Sequence, residues 1–341
     1  MTPRGTDWSL ALLVALGVVT GAATWFAGSP GAAWVFAAHA IGGFALAFVL
    51  VWKLRRVWRR IGPRSSLAAL GLVSATLLSG FVWAGGGSLS LAGYNLLNWH
   101  VLLGALLGLA VLAHAVVRAK PLRVRDVRSR RQFLSAAAVG AGAFAAWQVQ
   151  RPVQRALGLR GAERRFTGSY DAGDDFPATS WVADHPRALD ASAYRLSVTG
   201  HVRTPLSLRL DELDAGDELV ATLDCTGGFW STQRWHGSSL GRVLDAAGVQ
   251  EGARHVRVIS HTGYRWSFSL DDARGLLLAT GVRGEPLSHG HGAPCRLVAP
   301  GRRGFQWVKW VVRVEVHEDP DPGAVASTLW SSFTAEGRGA A

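Results

Sequence analysis

The sequence predicts an N-terminal all-α transmembrane bundle, four helices plus a fifth signal-anchor helix, joined to a C-terminal α+β, β-rich domain. Three observations predict it. Charge is unevenly divided: residues 1–150 hold 14 Lys and Arg against two Asp and Glu, while residues 151–341 hold 22 of each. Between its basic clusters the first part is apolar in runs of about 20 residues, the length that spans roughly 30 Å of hydrocarbon. The second part alternates β-branched and aromatic runs with Gly and Pro, the pattern of short strands.

The charge pattern also bounds the partners. A net charge of +12 and a pI near 11.0 fit a nucleic-acid binder. Here the whole excess sits in a few clusters that flank apolar runs, which is membrane patterning. The predicted partner is therefore the lipid bilayer, with no nucleic acid.

The four spans are residues Trp8–Ala27, Ala32–Leu54, Leu67–Trp83 and Leu96–Val117. Orientation follows from the loops. The basic stretches 53–64 and 118–131 face the cytoplasm, and the uncharged stretches 28–31 and 85–95 face outward. Residues 1–120 then form a four-helix membrane domain with both ends inside.

Residues 121–150 form a basic linker and a fifth segment. "RSRRQFLSAAAVGAGAFAAW" (128–147) carries adjacent Arg130 and Arg131, then Phe133 and Leu134, then a weak Ala/Gly run. It reads as a twin-arginine export signal set inside the chain; the alternative is the basic flank of an ordinary fifth span. Ala143–Ala145 has the small residues of a cleavage site, but an uncleaved anchor keeps the two parts joined. The expectation is a multi-pass protein of the cytoplasmic membrane, with residues 151–341 on the extracytoplasmic side.

Ionisable residues within spans are functional candidates by default. Three histidines qualify: His39 in the second span, His100 and His114 in the fourth. His100 and His114 are 14 residues apart, about 40° short of four full turns and about 21 Å along one helix face. His39 and His100 sit at similar depths toward the outer end, so a bis-imidazole iron site can form between them. His114, near the inner end, has no histidine at its depth. The alternative is that these rings hydrogen-bond between helices. "NWHVLLGALLGLAVLAH" and "HAIGG" (39–43) resemble the haem-binding helices of bacterial b-type cytochromes, which implies haem b and electron exchange with the quinone/quinol pool or another carrier.

In the C-terminal part, strands are expected at 194–202, 255–261, 264–270, 295–300 and 307–317, with helices at 208–213 and 239–248. Cys225 and Cys295 are the only cysteines. Cys295 lies within an apolar strand. Cys225 ends the strand "ELVATLD" and enters "CTGGFWS", where two glycines let a bulky group approach the backbone. Three readings stand for Cys225: soft-metal ligand, disulfide partner of Cys295, or buried thiol.

Three stretches in order resemble the molybdopterin-binding domain of the sulfite oxidase family: "YRLSVTGHVRTPLSLRLDEL", "LDCTGGFWSTQRWHGSSLGRVLDAAG" and "GEPLSHGHGAPCRLVAPGRRGFQWVKWVVRVEV". The resemblance covers residues 176–318. It implies Cys225 as the catalytic cysteine and protein ligand of molybdenum. His291 and Arg296 fall on the family's H-G-x-P-x-R pattern and Lys309 on its V-K-W. Those residues, with Gly227 and Gly292, would hold the pterin and its phosphate. The chain departs where many members have G-A-R before V-K-W: here stand Gly304, Phe305 and Gln306, so one basic contact is either lost or supplied by Arg302 or Arg303. His289 reads as a solvated side chain, and Tyr264 as a core aromatic or a pocket residue.

The resemblance implies a molybdenum oxidoreductase, with oxygen-atom transfer on a small S- or N-oxo substrate. It also implies that the cofactor is inserted in the cytoplasm. Twin-arginine export carries folded proteins, which accounts for an internal signal. The rival expectation is a haem-b carrier, or a binding or sensory module, with a non-catalytic outer domain.

Overall fold

The computed structural model describes residues 1–57, 64–118, 120–121, 123, 126, 129–179, 186–213, 216–334 and 336. The basic stretches 53–64 and 118–131 lie partly outside these residues. The chain divides into two compact units, Met1–Asp171 and Ala172–Ala341.

The first unit is helical: α1 (Pro3–Ala23), α2 (Ala33–Val57), α3 (Arg64–Ala84), α4 (Leu96–Arg118) and α5 (Arg130–Ala156). Four of them, α1 to α4, are long and apolar enough to cross a membrane. The expected fifth span is a longer and more polar helix, α5, and is not one of the four. The first span is also corrected. It starts at Pro3, because Thr2 caps the helix through its side-chain oxygen and Pro3 needs no N–H partner there. It ends at Ala23.

α1 packs on α2 and α4, α3 on α4, and α5 on α2. Val14, Leu46, Val73 and Leu107 meet at the centre. Between α3 and α4 the expected outer loop folds into a small hairpin, β1 (Ser90–Leu91) and β2 (Tyr94–Asn95), closed by Gly93 at φ 79°. Asn95 then caps α4 by accepting from the Asn98 N–H.

The second unit holds two sheets over one apolar core that includes Trp235, Leu244, Leu278 and Val314. The first sheet contains β3 (Leu196–Gly200), β4 (Leu206–Leu208), β7 (His255–Ser260), β8 (Arg265–Ser269) and β12 (Val311–His317). Its order is β4-β3-β12-β7-β8, parallel only between β3 and β12. The second sheet contains β5 (Asp217–Asp224), β6 (Phe229–Ser239), β9 (Leu277–Val282), β10 (Glu285–Pro286) and β11 (Arg296–Val298). There β9 pairs with β6, β10 and β11, and β5 pairs with β6, all antiparallel. Three short helices complete the unit: α6 (Leu240–Ala247), α7 (Leu270–Arg274) and α8 (Ala324–Trp330).

Two local expectations are corrected. The helix expected at 208–213 is the end of β4 followed by a single 3-10 turn, Asp211–Leu213; the segment is too short to close several α-helical hydrogen bonds. The strand expected at 307–317 starts only at Val311. Trp310 breaks it with φ 52°, in the left-handed region that a bulky residue rarely enters.

Candidate functional site

β5 ends at Asp224 and β6 starts at Phe229, so the hairpin connection is Cys225–Gly228. The turn closes through Gly228 N–H to Cys225 O at 3.0 Å and Cys225 N–H to Phe229 O at 2.8 Å. Gly228 takes φ 94°, which this turn requires and glycine adopts without cost. The Cys225 thiol is thus presented at a strand end. Its Sγ accepts from the Gly227 N–H at 3.3 Å and lies 3.4 Å from Thr179 Oγ1.

The segment after β10 brings the other residues to the same place. Ser288 caps the 3-10 turn His289–His291 by accepting from the His291 N–H. Gly292 follows at φ 107°, and a Cβ there would come within 3.1 Å of both the Arg296 and Lys309 side chains. That glycine lets the two cations flank one turn of backbone. Phe176, Thr179, Cys225, His291, Arg296 and Lys309 line a single cleft.

Arg296 is the unusual group. It is 1% exposed, has no carboxylate partner among the described residues, and stacks 4.9 Å from the Trp235 ring and 5.7 Å from Trp307. Its Nη1 donates to His291 O at 3.0 Å, and its buried Nε has no partner. Burial pushes its pKa down to about 10, opposed by the nearby Cys225, so it remains a cation at neutral pH. A buried, unpaired guanidinium is a site for an anion.

His291 is held at both nitrogens. Its Nε2 lies 3.1 Å from Phe176 O, a carbonyl that can only accept, so Nε2 carries the proton. Nδ1 then accepts from Ser288 Oγ at 2.9 Å. Burial lowers its pKa, reinforced by Arg296 and Lys309 and opposed by the Phe176 carbonyl, so the ring is neutral at pH 7. Lys309 Nζ donates to Thr179 O and Gly290 O, tying the loop before β3 to the His289–His291 turn.

Both cysteines are free, so the disulfide reading is corrected. Cys295 is fully buried, and its thiol is pushed up to about 12 by burial. His289 is not simply solvated: Nε2 lies 3.0 Å from Pro186 O, and the ring packs on Trp310. Tyr264 packs against the core and donates its hydroxyl to Phe305 O, bracing the turn beside Cys225. Arg302 pairs with Asp272 at the surface, away from the cleft lining. Sequence reasoning missed Phe176, Thr179 and Asp224. Asp224 carried a signal, a carboxylate directly before Cys225 at the buried end of β5.

In the helical unit, His39 and His100 are brought together, with ring centroids 6.0 Å apart and planes at 86°. His100 Nδ1 lies 3.0 Å from Thr76 O and 3.2 Å from Ser79 Oγ. His39 Nδ1 lies 3.0 Å from Thr20 Oγ1, whose own proton goes to Leu16 O at 2.6 Å. Both rings are therefore protonated at Nδ1 and carry their lone pair at Nε2, the arrangement that second-shell partners impose on ligating histidines. Gly80 lies under His100: a Cβ there would meet its Cε1 at 2.8 Å. His114 is exposed on α4, away from this pair.

Residues 182–325 match the family model described as oxidoreductase molybdopterin binding domain. The chain is similar to the protein-methionine-sulfoxide reductase catalytic subunit MsrP of Xanthomonas campestris pv. campestris, 30% identical over 50% of this chain and 61% of that one. It is also similar to the mitochondrial sulfite oxidase of Macaca fascicularis, 35% identical over 38% of this chain and 30% of that one. A third relative is nitrate reductase [NADH] 1 of Oryza sativa subsp. japonica, 34% identical over 41% and 19%. The chain spans less than two thirds of the length of each. The C-terminal unit carries an oxidoreductase molybdopterin-binding domain, similar to those of sulfite oxidase and protein-methionine-sulfoxide reductase.

Proposed function

We propose that the chain is a membrane-bound molybdopterin-dependent oxidoreductase. It would act on a small S- or N-oxo substrate and exchange electrons, through haem b in its own helical unit, with the quinone pool or another carrier. The observation that carries the reading is Arg296, a buried cation with an unpaired Nε in the same cleft as the Cys225 thiol. An anionic cofactor with a soft metal satisfies both groups at once.

In this reading Cys225 is the protein ligand of molybdenum, and the Gly227 N–H keeps its sulfur oriented. When bound, the molybdenum centre supplies two-electron chemistry coupled to oxygen-atom transfer. The chain does the rest. Arg296 and Lys309 neutralise the cofactor's phosphate, and Gly292 lets their stems approach it. His291, proton on Nε2, adds no third positive charge and keeps its ring fixed against Phe176. Leu223 and Phe229 add an apolar wall to the cleft beside the thiol.

His39 and His100 would hold the haem iron through Nε2. Haem supplies one-electron transfer, matching a two-electron centre to single-electron carriers. His114 has no histidine beside it among the described residues, which favours one haem over two. The twin arginines that open α5, Arg130 and Arg131, support export of the folded second unit to the extracytoplasmic face.

The test is metal analysis with an optical spectrum on the detergent-purified full chain, wild type beside Cys225→Ser. The reading requires about one molybdenum per chain and a reducible b-type spectrum, with molybdenum lost and haem kept in the variant. Haem without molybdenum in the wild type, from a host that makes the cofactor, turns the assignment to a haem-only carrier.

A further inference from the structure

Behind the Cys225 turn lies a second buried arginine that the cofactor does not explain. Arg303 is 4% exposed and Asp224 2% exposed. Arg303 Nη1 is hydrogen-bonded and ion-paired to Asp224 Oδ1, and its Nη2 donates to the Cys225 carbonyl at 3.3 Å. The backbones of Asp224 and Arg303 also form an isolated parallel bridge.

The segment that carries Arg303 is itself rigid. Its N–H donates to Gln306 Oε1 at 3.1 Å while the Gln306 N–H donates to its carbonyl at 2.8 Å, closing the turn Gly304–Gln306. Gly304 lies flat on the hairpin: a Cβ there would sit 2.9 Å from Cys225 Cα. The Tyr264 hydroxyl holds Phe305 O from the other side. The turn is therefore a fixed platform, and Arg303 is its arm onto the peptide of the cysteine.

Stability alone does not account for this pair. Removing two charges from water costs about as much as their attraction returns, and an apolar pair of similar volume is often neutral or better. What the pair supplies is direction. It grips a residue on each side of the Asp224–Cys225 peptide bond, and so fixes the Cα–Cβ vector that aims Sγ into the cleft. Its charge is already spent on Asp224, so it is not a substitute for the cation missing at Gln306. Arg296 and Lys309 carry that work.

We propose that Arg303 and Asp224 are positioning residues that clamp the Cys225 peptide and set the direction of its thiolate toward the metal. The inference rests on Cys225 as the molybdenum ligand for its role, but the clamp itself acts on the thiol with or without metal.

The test uses the full chain and three variants: Asp224→Asn, Arg303→Lys, and the apolar double variant Asp224→Leu/Arg303→Met, which removes the grip without leaving a buried charge unpaired. The cofactor-free readout is the rate at which iodoacetamide alkylates Cys225. Cys295 is buried and silent in this assay. The loaded readouts are molybdenum per chain and the Mo(V) electron paramagnetic resonance spectrum, with melting temperature as the folding control. The expected result is a Cys225 alkylation rate changed severalfold in the double variant at a melting temperature near wild type. In loaded protein we expect an altered, broadened Mo(V) signal and kcat down about tenfold or more with KM little changed. Arg303→Lys should fall between the two. Wild-type alkylation rates and an unchanged Mo(V) spectrum in the double variant, with only the melting temperature moved, overturn the clamp. If wild-type protein takes up no molybdenum, the cofactor reading fails alone, and the alkylation rates still decide whether the clamp exists.

Discussion

His39 on α2 and His100 on α4 face each other at 6.0 Å between ring centroids, each fixed through Nδ1 by a hydroxyl or carbonyl of a neighbouring helix. Their chain separation is large, so the juxtaposition comes from helix packing. With both rings held through Nδ1 and each leaving Nε2 as its lone-pair nitrogen, His39→Ala and His100→Ala should each abolish the b-type optical spectrum. His114→Ala should leave it intact. Loss of haem in the His114 variant alone would move the site to the inner end of α4.

Arg296 gives a sharper prediction. In the cofactor-free protein an unpaired buried guanidinium is a cost, so Arg296→Met should leave stability within about 1 kcal/mol of wild type, or raise it. The same variant should lose most of its molybdenum, by about tenfold or more. Denaturant unfolding of cofactor-free protein and the metal-to-protein ratio of loaded protein check the two halves separately.

The two thiols should behave as different species. Cys295, pushed up to about 12 by burial, stays protonated and shielded throughout the neutral range. At pH 8 the folded, cofactor-free chain should be alkylated once, at Cys225, and twice only after unfolding. Mass spectrometry of the modified peptides reads this directly. Double modification of the folded protein would contradict the packing around β11.

Asp321 links the start of α8 to the first sheet. Burial disfavours its charged form, but the hydrogen bond from Arg265, the Gly323 N–H and the nearby Arg257 outweigh burial and hold its pKa below the usual carboxylate range. The sign follows: the contribution is fully present above the unfolded value of about 3.9 and is lost as pH falls through the lower folded value. Asp321→Asn should cost about 1–3 kcal/mol near neutral pH. The gap from wild type should close below about pH 4, measured by chemical unfolding across a pH series.

The sequence disclosed the parts whose chemistry is local. Cys225 stood out because a thiol at a strand end followed by two glycines has few other uses, and the structure places it on a four-residue hairpin turn. His39 and His100 stood out because imidazole is costly in an apolar helix. Strand β6 was harder to see. Its inward residues include Ser231, Gln233 and Gly237, so burial follows the period of two while hydropathy does not. Arg303 was legible only as a surplus cation. That it turns inward to Asp224 depends on the close approach of Gly304 to the hairpin, a tertiary contact with no local trace. The break at Trp310 likewise follows from its N–H reaching Gly292 O across the cleft segment.

The separation of the two cysteines has a consequence for the order of maturation. Cys225 is partly accessible and Cys295 is sealed in the core, so no internal disulfide can shelter the first thiol from oxidants. A chain that reached an oxidising compartment empty would present Cys225 to sulfenic and then irreversible oxidation, or to crosslinking with another chain. Coordination of the sulfur by a metal removes that exposure. With Cys225 as the ligand proposed above, loading the cofactor ahead of any contact with oxidant would be a matter of chemical survival for this site.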